Sequence, residues 1–169
     1  MPEPIQYWVI DYSKRTRGSQ AELSEELLRL LRQGVTSRMV ADVPLGAFLS
    51  GGVDSSAVVA LMAEASRQPV KTCSIGFDVA AVDESAYAER IARRFATDHR
   101  SREVAPDDFG LIDTLAYHFD EPFADASALP TYRVCELARE DGTVALSGDG
   151  ADEALAGYRR HMFHHKEEQ

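Results

Sequence analysis

Cysteine is scarce in this sequence. Cys73 and Cys135 are the two cysteines among 169 residues, and they stand far apart rather than in a CxxC pair. This spacing excludes a cysteine-rich zinc module and gives no framework of disulfides. We therefore expect two buried free thiols.

Basic residues are outnumbered by acidic ones. The chain has 18 Lys and Arg against 28 Asp and Glu, which gives a formal net charge of −10. Proteins that bind nucleic acid through their general surface show a basic excess instead. The composition therefore predicts no nucleic-acid partner, and most of the carboxylates are expected to lie on a solvated surface.

Long apolar runs are absent as well. No stretch approaches the roughly 20 residues that cross a bilayer. The N-terminal MPEPIQYWVIDYSKRTRG also lacks the basic start, apolar middle and cleavage site of a signal peptide. We expect a cytoplasmic protein with no membrane partner, and the length suits one domain.

The first periodic segment is predicted to be a helix. Ser19 followed by Glu22 is a capping-box pair, and leucines then recur at helical spacing as far as Leu31. The pattern predicts a helix that ends near Arg38 and has one apolar face. Residues 1–18 contain two prolines and a short strand-like run at 7–10, and they are predicted to be a linker.

Short apolar segments then alternate with helical patterns. We predict strands at 43–49, 70–77, 99–104 and 142–147, and helices at 55–66, 83–95, 109–119 and 129–139. The clearest strands are apolar on both faces, which is typical of a parallel sheet covered by helices on both sides. The expected fold class is therefore α/β. In the helix at 83–95, Tyr87, Ile91 and Phe95 are expected to face the core.

The segment FLSGGVDSSAV, Phe48–Val58, places two glycines between a predicted strand and a predicted helix. Glycines allow backbone N–H groups to approach a ligand closely, and a helix N-terminus favours anions. The loop therefore predicts a phosphate site. It is not a Walker-type loop, because no Gly-Lys-Ser/Thr follows. Asp54 is a candidate Mg²⁺ ligand, although an aspartate at a helix start is also a common cap.

A second strand-to-helix turn carries the sequence ALSGDGADEALAGYRR, Ala145–Arg160. Its glycine spacing does not fit a dinucleotide-binding fingerprint. Asp149, Asp152 and Glu153 are its informative residues. Carboxylates in a first helical turn are favourable on dipole grounds alone, but three acids beside a phosphate loop suit Mg²⁺ or an amino group better.

The loop LSGGVDSS resembles the pyrophosphate-binding SGGxDS loop of the N-type ATP pyrophosphatases, the PP-loop superfamily. Together with SGDGADE…GYRR, it is similar to the synthetase domain of glutamine-hydrolysing asparagine synthetases. The segments CSIGF and DEPFADASALPTY also resemble that family. The resemblance implies an adenine nucleotide α-hydrolase-like domain at 19–160, incomplete at its C-terminus and followed by a tail at 161–169.

The resemblance also implies roles for particular residues. Contacts with ATP are implied for Leu49, Ser50, Gly51, Gly52, Ser55, Ile75, Gly76, Ser147 and Gly148. Ligation of Mg²⁺ is implied for Asp54 and Asp152. Asp149 is implied as the catalytic residue beside the acyl substrate, with Asp125 and Ser127 as further substrate contacts.

The activity that the resemblance implies is ATP-dependent amide formation. A carboxylate substrate, aspartate in this family, is adenylated with release of pyrophosphate, and ammonia from glutamine then gives asparagine and AMP. The chain begins Met1-Pro2-Glu3, without the N-terminal cysteine nucleophile of the family's glutaminase domain. We therefore expect a fragment of a homodimeric enzyme, with 1–18 linking to a missing glutaminase domain and little activity alone.

Two alternatives remain open on the sequence. Ala151 stands where the family usually has glycine or serine, which favours another PP-loop amidotransferase. Such a relative would be an exopolysaccharide- or protein-sorting-associated paralogue, or an enzyme like a β-lactam synthetase. The other alternative is a truncated chain that binds nucleotide without catalysis.

Overall fold

The computed structural model describes residues 3–9, 11, 13, 15–78, 83–104 and 109–167. Seven helices, one 3₁₀ turn and four strands lie within these ranges. In chain order they are α1 (Gln20–Arg38), β1 (Leu45–Phe48), α2 (Val53–Ala65), β2 (Lys71–Phe77), α3 (Ser85–Arg94), β3 (Asp98–Val104), the 3₁₀ turn (Phe109–Leu111), α4 (Ile112–Phe119), α5 (Ala128–Arg139), β4 (Val144–Leu146), α6 (Ala151–Leu155) and α7 (Arg159–Glu167).

The four strands form one parallel sheet in the order β3-β2-β1-β4. The register pairs Ala47 of β1 with Thr72 on one side and with Leu146 on the other. The chain thus adds β2 and β3 on one side of β1 and then returns to place β4 on the opposite side. The parallel α/β fold predicted from the sequence is confirmed.

The core lies on the face of the sheet that α2 and α3 cover, and α1 packs on α2. Val59 and Met62 of α2 pack there with Ala88 and Ala92 of α3 and with Ala47 of β1. These side chains are at most 5% exposed. The helix α5 packs against β2, β1 and β3. It leads from β3, at one edge of the sheet, to β4 beyond β1, so the order in which strands are added reverses there. A right-handed crossover in this reversed order places α5 on the opposite face of the sheet.

Several local expectations are corrected by the structure. Tyr87 is 56% exposed rather than part of the core, and Cys135 is exposed while Cys73 is buried. No strand forms at residues 7–9, and Ile10 lies outside the described residues. The predicted helix at 109–119 begins as the 3₁₀ turn. The division of the chain at residues 18 and 160 stays a prediction.

A complete capping box fixes the start of α1. The Ser19 side chain accepts a hydrogen bond from the Glu22 backbone N–H at 3.3 Å, and the Ser19 backbone N–H donates to Glu22 Oε2 at 2.8 Å. This second bond holds the pKa of Glu22 below its usual value. The helix start predicted from the sequence is confirmed.

Replacing Ser19 with alanine should lower the free energy of unfolding by about 0.5–2 kcal/mol, because the Glu22 backbone N–H loses its side-chain acceptor. Urea unfolding followed by circular dichroism measures this change. Ser24→Ala, in the exposed interior of the same helix, is the control and should be neutral or slightly stabilising. Equal stability of the two variants would contradict the assigned cap.

None of the helices within the described ranges is both long enough and apolar enough to cross a membrane.

Candidate nucleotide-binding site

A cleft of about 640 Å³ opens at the carboxyl ends of β1 and β4. This is the place where the strand order reverses, since β2 lies on one side of β1 and β4 on the other. Ligands of open α/β sheets bind at such a switch point. The sequence-predicted site residues that line the cleft are Leu49, Ser50, Gly52, Asp54, Ser55, Ile75, Ser127, Ser147, Gly148, Asp149 and Asp152.

The loop after β1 is held by its own serines. Ser50 Oγ and Ser55 Oγ lie 3.0 Å apart, and the Gly52 backbone N–H donates to Ser50 Oγ at 3.3 Å. No side chain caps α2, whose N-cap residue is Gly52. The first N–H groups of a helix have no intrahelical acceptor, so this uncapped terminus presents donors to the cleft.

Gly51 has a packing role in the loop after β1 that the sequence analysis did not predict. Its φ is +85°, and a Cβ built on it would lie 2.5 Å from the Ala88 backbone nitrogen and 2.6 Å from Tyr87 Cβ. Gly51 does not line the cleft. The observed need for glycine here is close packing against the first turn of α3, and its predicted contact with ATP stays a prediction.

The loop after β4 meets the start of α2 directly. A Cβ on Gly148 would lie 2.8 Å from the Ser55 backbone nitrogen and 3.2 Å from Asp54 Cβ. The Asp149 backbone N–H donates to Ser147 Oγ at 3.2 Å, which orders the turn that follows. The absence of a side chain at Gly148 is therefore what allows the two predicted loops to form one site.

The cleft is strongly acidic. Asp54, Asp149, Asp152 and Glu153 all line it, and no Lys, Arg or His stands among its described lining residues. Within the described ranges, no group of three or more His, Cys, Asp or Glu is arranged to hold a metal ion. Mg²⁺ commonly takes one or two carboxylates and completes its shell with substrate phosphates and water, so Asp54 and Asp152 supply a suitable oxygen donor set.

Glu153 has a partner at the edge of the cleft. The Tyr158 hydroxyl donates to Glu153 Oε1 at 2.5 Å. This bond lowers the pKa of Glu153 and raises the pKa of Tyr158. The Arg160 guanidinium lies 4.3 Å above the Tyr158 ring centroid, a cation–π contact that holds the ring in place.

One wall of the cleft comes from α5, which the sequence did not assign to the site. Pro130, Thr131 and Val134 line it, and their spacing marks one face of a helix. Cys73 lies below them. Burial raises the pKa of its thiol to about 11, so the thiol stays protonated at neutral pH and is a poor nucleophile.

Two further predicted site residues lie outside the cleft lining. A Cβ on Gly76 would meet Asp83 Oδ1 at 3.1 Å, so this glycine accommodates the segment that leads into α3. Asp125 accepts a hydrogen bond from the Ser127 backbone N–H at 2.8 Å, which lowers the pKa of its carboxyl. Their implied contacts with ATP and substrate stay predictions.

The sequence model of the asparagine synthase family matches residues 26–169. The chain belongs to the asparagine synthase family. It is 44% identical over 159 residues to the "Putative asparagine synthetase (glutamine-hydrolyzing) 2" of Methanocaldococcus jannaschii, covering 92% of this chain and 30% of that protein. It is 36% identical over 146 residues to asparagine synthetase 1 of Bacillus subtilis, covering 86% of this chain and 23% of that protein.

Solved structures support the same fold at low sequence identity. The NH₃-dependent NAD synthetase of Campylobacter jejuni is similar with a TM-score of 0.51 and 13% identity, covering 79% of this chain and 60% of that one. This likeness supports the α/β fold described above for this member of the asparagine synthase family. The chain spans less than a third of the length of the two curated relatives described above.

Proposed function

We propose that this chain is the nucleotide-binding part of an enzyme that forms an amide at the expense of ATP. The observation that carries the proposal is the meeting of the two loops at Gly148, within the cleft of a member of the asparagine synthase family. The backbone donors of one loop and the carboxylates of both face the same space. A nucleoside triphosphate with a divalent cation suits both the backbone donors and the carboxylates.

The charges of the cleft support a metal-bound nucleotide. The phosphates of ATP carry several negative charges, and the described lining residues include acids but no basic side chain. Mg²⁺ held by Asp54 and Asp152 would supply the missing positive charge between carboxylates and phosphate oxygens. The uncapped N-terminus of α2 would donate to the pyrophosphate oxygens, which carry the charge that develops as they leave.

The proposed reaction has two steps. An oxygen of the substrate carboxylate attacks the α-phosphorus, the bond from that phosphorus to the bridging oxygen breaks, and pyrophosphate leaves. Ammonia then attacks the acyl carbon, AMP leaves, and a proton is released as the amide forms. This chain contributes mainly by positioning, because Asp149 and Ser127 line the same cleft as the loops.

Several finer parts of this proposal concern the whole protein. Aspartate as the carboxylate, glutamine as the source of ammonia and a homodimeric enzyme follow from the family resemblance. Because this chain spans 30% and 23% of its two relatives, we propose that it binds nucleotide alone and that turnover requires more of the protein.

Calorimetric titration of ATP into the chain tests the nucleotide site. We expect binding that strengthens when Mg²⁺ is present, and Asp54→Ala should remove this Mg²⁺-dependent gain. The matched control is Asp113→Ala, because Asp113 stands in the first turn of α4 as Asp54 does in α2, but outside the cleft. A folded wild-type chain that binds no Mg-ATP would contradict the proposal.

The identity of the carboxylate substrate is tested separately, in a longer protein that contains this sequence. Carboxylate-dependent exchange of labelled pyrophosphate into ATP reports the adenylation step. We expect exchange with aspartate, whereas exchange that requires a different carboxylate would favour another PP-loop amidotransferase.

A further inference from the structure

The chain turns back on itself directly after α6. Ala156 has a φ of +58° and ends the helix, and the Gly157 backbone N–H donates to the Asp152 carbonyl oxygen at 3.0 Å. The next residue, Tyr158, reaches Glu153 through its hydroxyl. The returning segment Ala156–Tyr158 therefore lies over the first turn of α6 and contacts both of the acidic residues there.

Gly157 leaves space for the Asp152 carboxylate. A Cβ built on Gly157 would overlap that group, at 1.8 Å from Asp152 Oδ1 and 2.8 Å from Asp152 Cγ. The contact with Asp152 Cα, at 3.1 Å, is tight but not an overlap. Any side chain at position 157 would thus compete mainly with the end of the Asp152 side chain, which rotates about its own bonds.

We propose that Gly157 is a positioning residue for Asp152. By having no side chain, it allows the Asp152 carboxylate to occupy the orientation that faces the cleft. The neighbouring Glu153 already accepts the Tyr158 hydroxyl at one of its carboxylate oxygens, whereas Asp152 lines the cleft beside it. This inference rests on the proposed function, because it takes Asp152 to be a ligand of nucleotide-bound Mg²⁺.

We expect Gly157→Ala, the smallest substitution at this position, to fold. Gly157 is not among the described residues with positive φ, so alanine meets no backbone strain of that kind there. Gly157→Ala should therefore leave a folded chain in which the Asp152 carboxylate has rotated away.

The decisive measurement is the metal dependence of nucleotide binding. We expect Gly157→Ala to bind ATP in EDTA as the wild type does, while the affinity of the ATP complex for Mg²⁺ falls about 10–100-fold, as when a group that orients a metal ligand is lost. Gly34→Ala is the matched control, since a Cβ there meets only Arg38 Nη1 at 3.8 Å.

Each outcome decides the inference. An unchanged Mg²⁺ affinity in Gly157→Ala overturns it, and so does an equal loss of ATP binding with and without metal, which would indicate general damage to the cleft. If the wild type itself binds no Mg-ATP, the proposed function fails and the role of Gly157 fails with it. If the wild type binds Mg-ATP and Gly157→Ala has the same affinity for Mg²⁺, only the positioning role of Gly157 is rejected.

A stability cycle covers the case in which Gly157→Ala does not fold. If the carboxylate is the obstacle, adding Asp152→Ala removes the overlap, and the double variant should recover a cooperative thermal transition. The loss of melting temperature from Gly157→Ala should then be clearly smaller in the Asp152→Ala background. A loss of the same size in both backgrounds would show that the carboxylate is not what Gly157 accommodates.

Discussion

Replacing Gly51 with alanine should lower the free energy of unfolding by about 2–5 kcal/mol. Two costs add at this position. An L-residue in the left-handed region costs about 1–2 kcal/mol, and Gly51 has a φ of +85°. The new Cβ would also overlap the backbone of Tyr87 and Ala88, and overpacking of this kind costs about 1–3 kcal/mol.

Thermal and urea unfolding measure this loss, and the adjacent glycine provides a close control. Gly52 has a φ of −65°, and a Cβ there would meet only Ser50 Oγ at 3.3 Å. Gly52→Ala should therefore cost far less stability than Gly51→Ala. An equal loss of stability in the two variants would contradict the packing of the loop after β1 against α3.

Gly148→Ala should weaken Mg-ATP binding about 10–150-fold without unfolding the chain. The added Cβ would press on the backbone of Asp54 and Ser55, and backbone cannot rotate aside as a side chain can. The loop after β4 must therefore move away from α2. Losing one hydrogen bond to a charged phosphate costs about 1.5–3 kcal/mol, which corresponds to that range of affinity.

Calorimetry with Mg-ATP and circular dichroism together test this prediction. Gly18→Ala is the control, because a Cβ at Gly18 makes only ordinary contacts at 3.5 Å and lies outside the cleft. Wild-type affinity in Gly148→Ala would contradict the idea that close approach of the two loops builds the site.

The sequence predicts features that depend on neighbouring residues. The cap at Ser19 and Glu22 is such a feature, since both partners lie within one helical turn. The parallel sheet is another, because strands apolar on both faces have few other ways to be buried. The two glycine loops could be assigned to the carboxyl ends of their strands for the same local reasons, and the structure brings both to one cleft.

Periodicity predicts an apolar face but not what covers it. The leucines of α1 follow the helical pattern, yet Leu23, Leu27 and Leu30 are 39–50% exposed. Tyr87 also follows its pattern, but the core side of α3 is formed by Ala88 and Ala92, and the Arg90 guanidinium stacks on the Tyr87 ring. In both helices the packing partner, which no local pattern specifies, decides the burial.

The residues of the site that sequence analysis missed depend on distant packing. Thr131 and Val134 reach the cleft only because α5 crosses the sheet over β2. The packing of Gly51 against α3 is likewise a contact between segments that lie far apart in the sequence. Tyr158 stands within the second motif, but its bond to Glu153 depends on the turn at Ala156.

The position of β4 links ligand binding to the completion of folding. This strand has three residues, and among the strands of the described residues it pairs only with β1. Within that part of the chain, two strands and four helices separate β1 from β4. Contacts of such long sequence separation are slow to form because the intervening loop must first be closed. A nucleotide that touches both loops would bind only after this closure and would stabilise the closed state by about 2.7 kcal/mol at a hundredfold excess over its dissociation constant. The nucleotide would then hold β4 in the sheet beside β1.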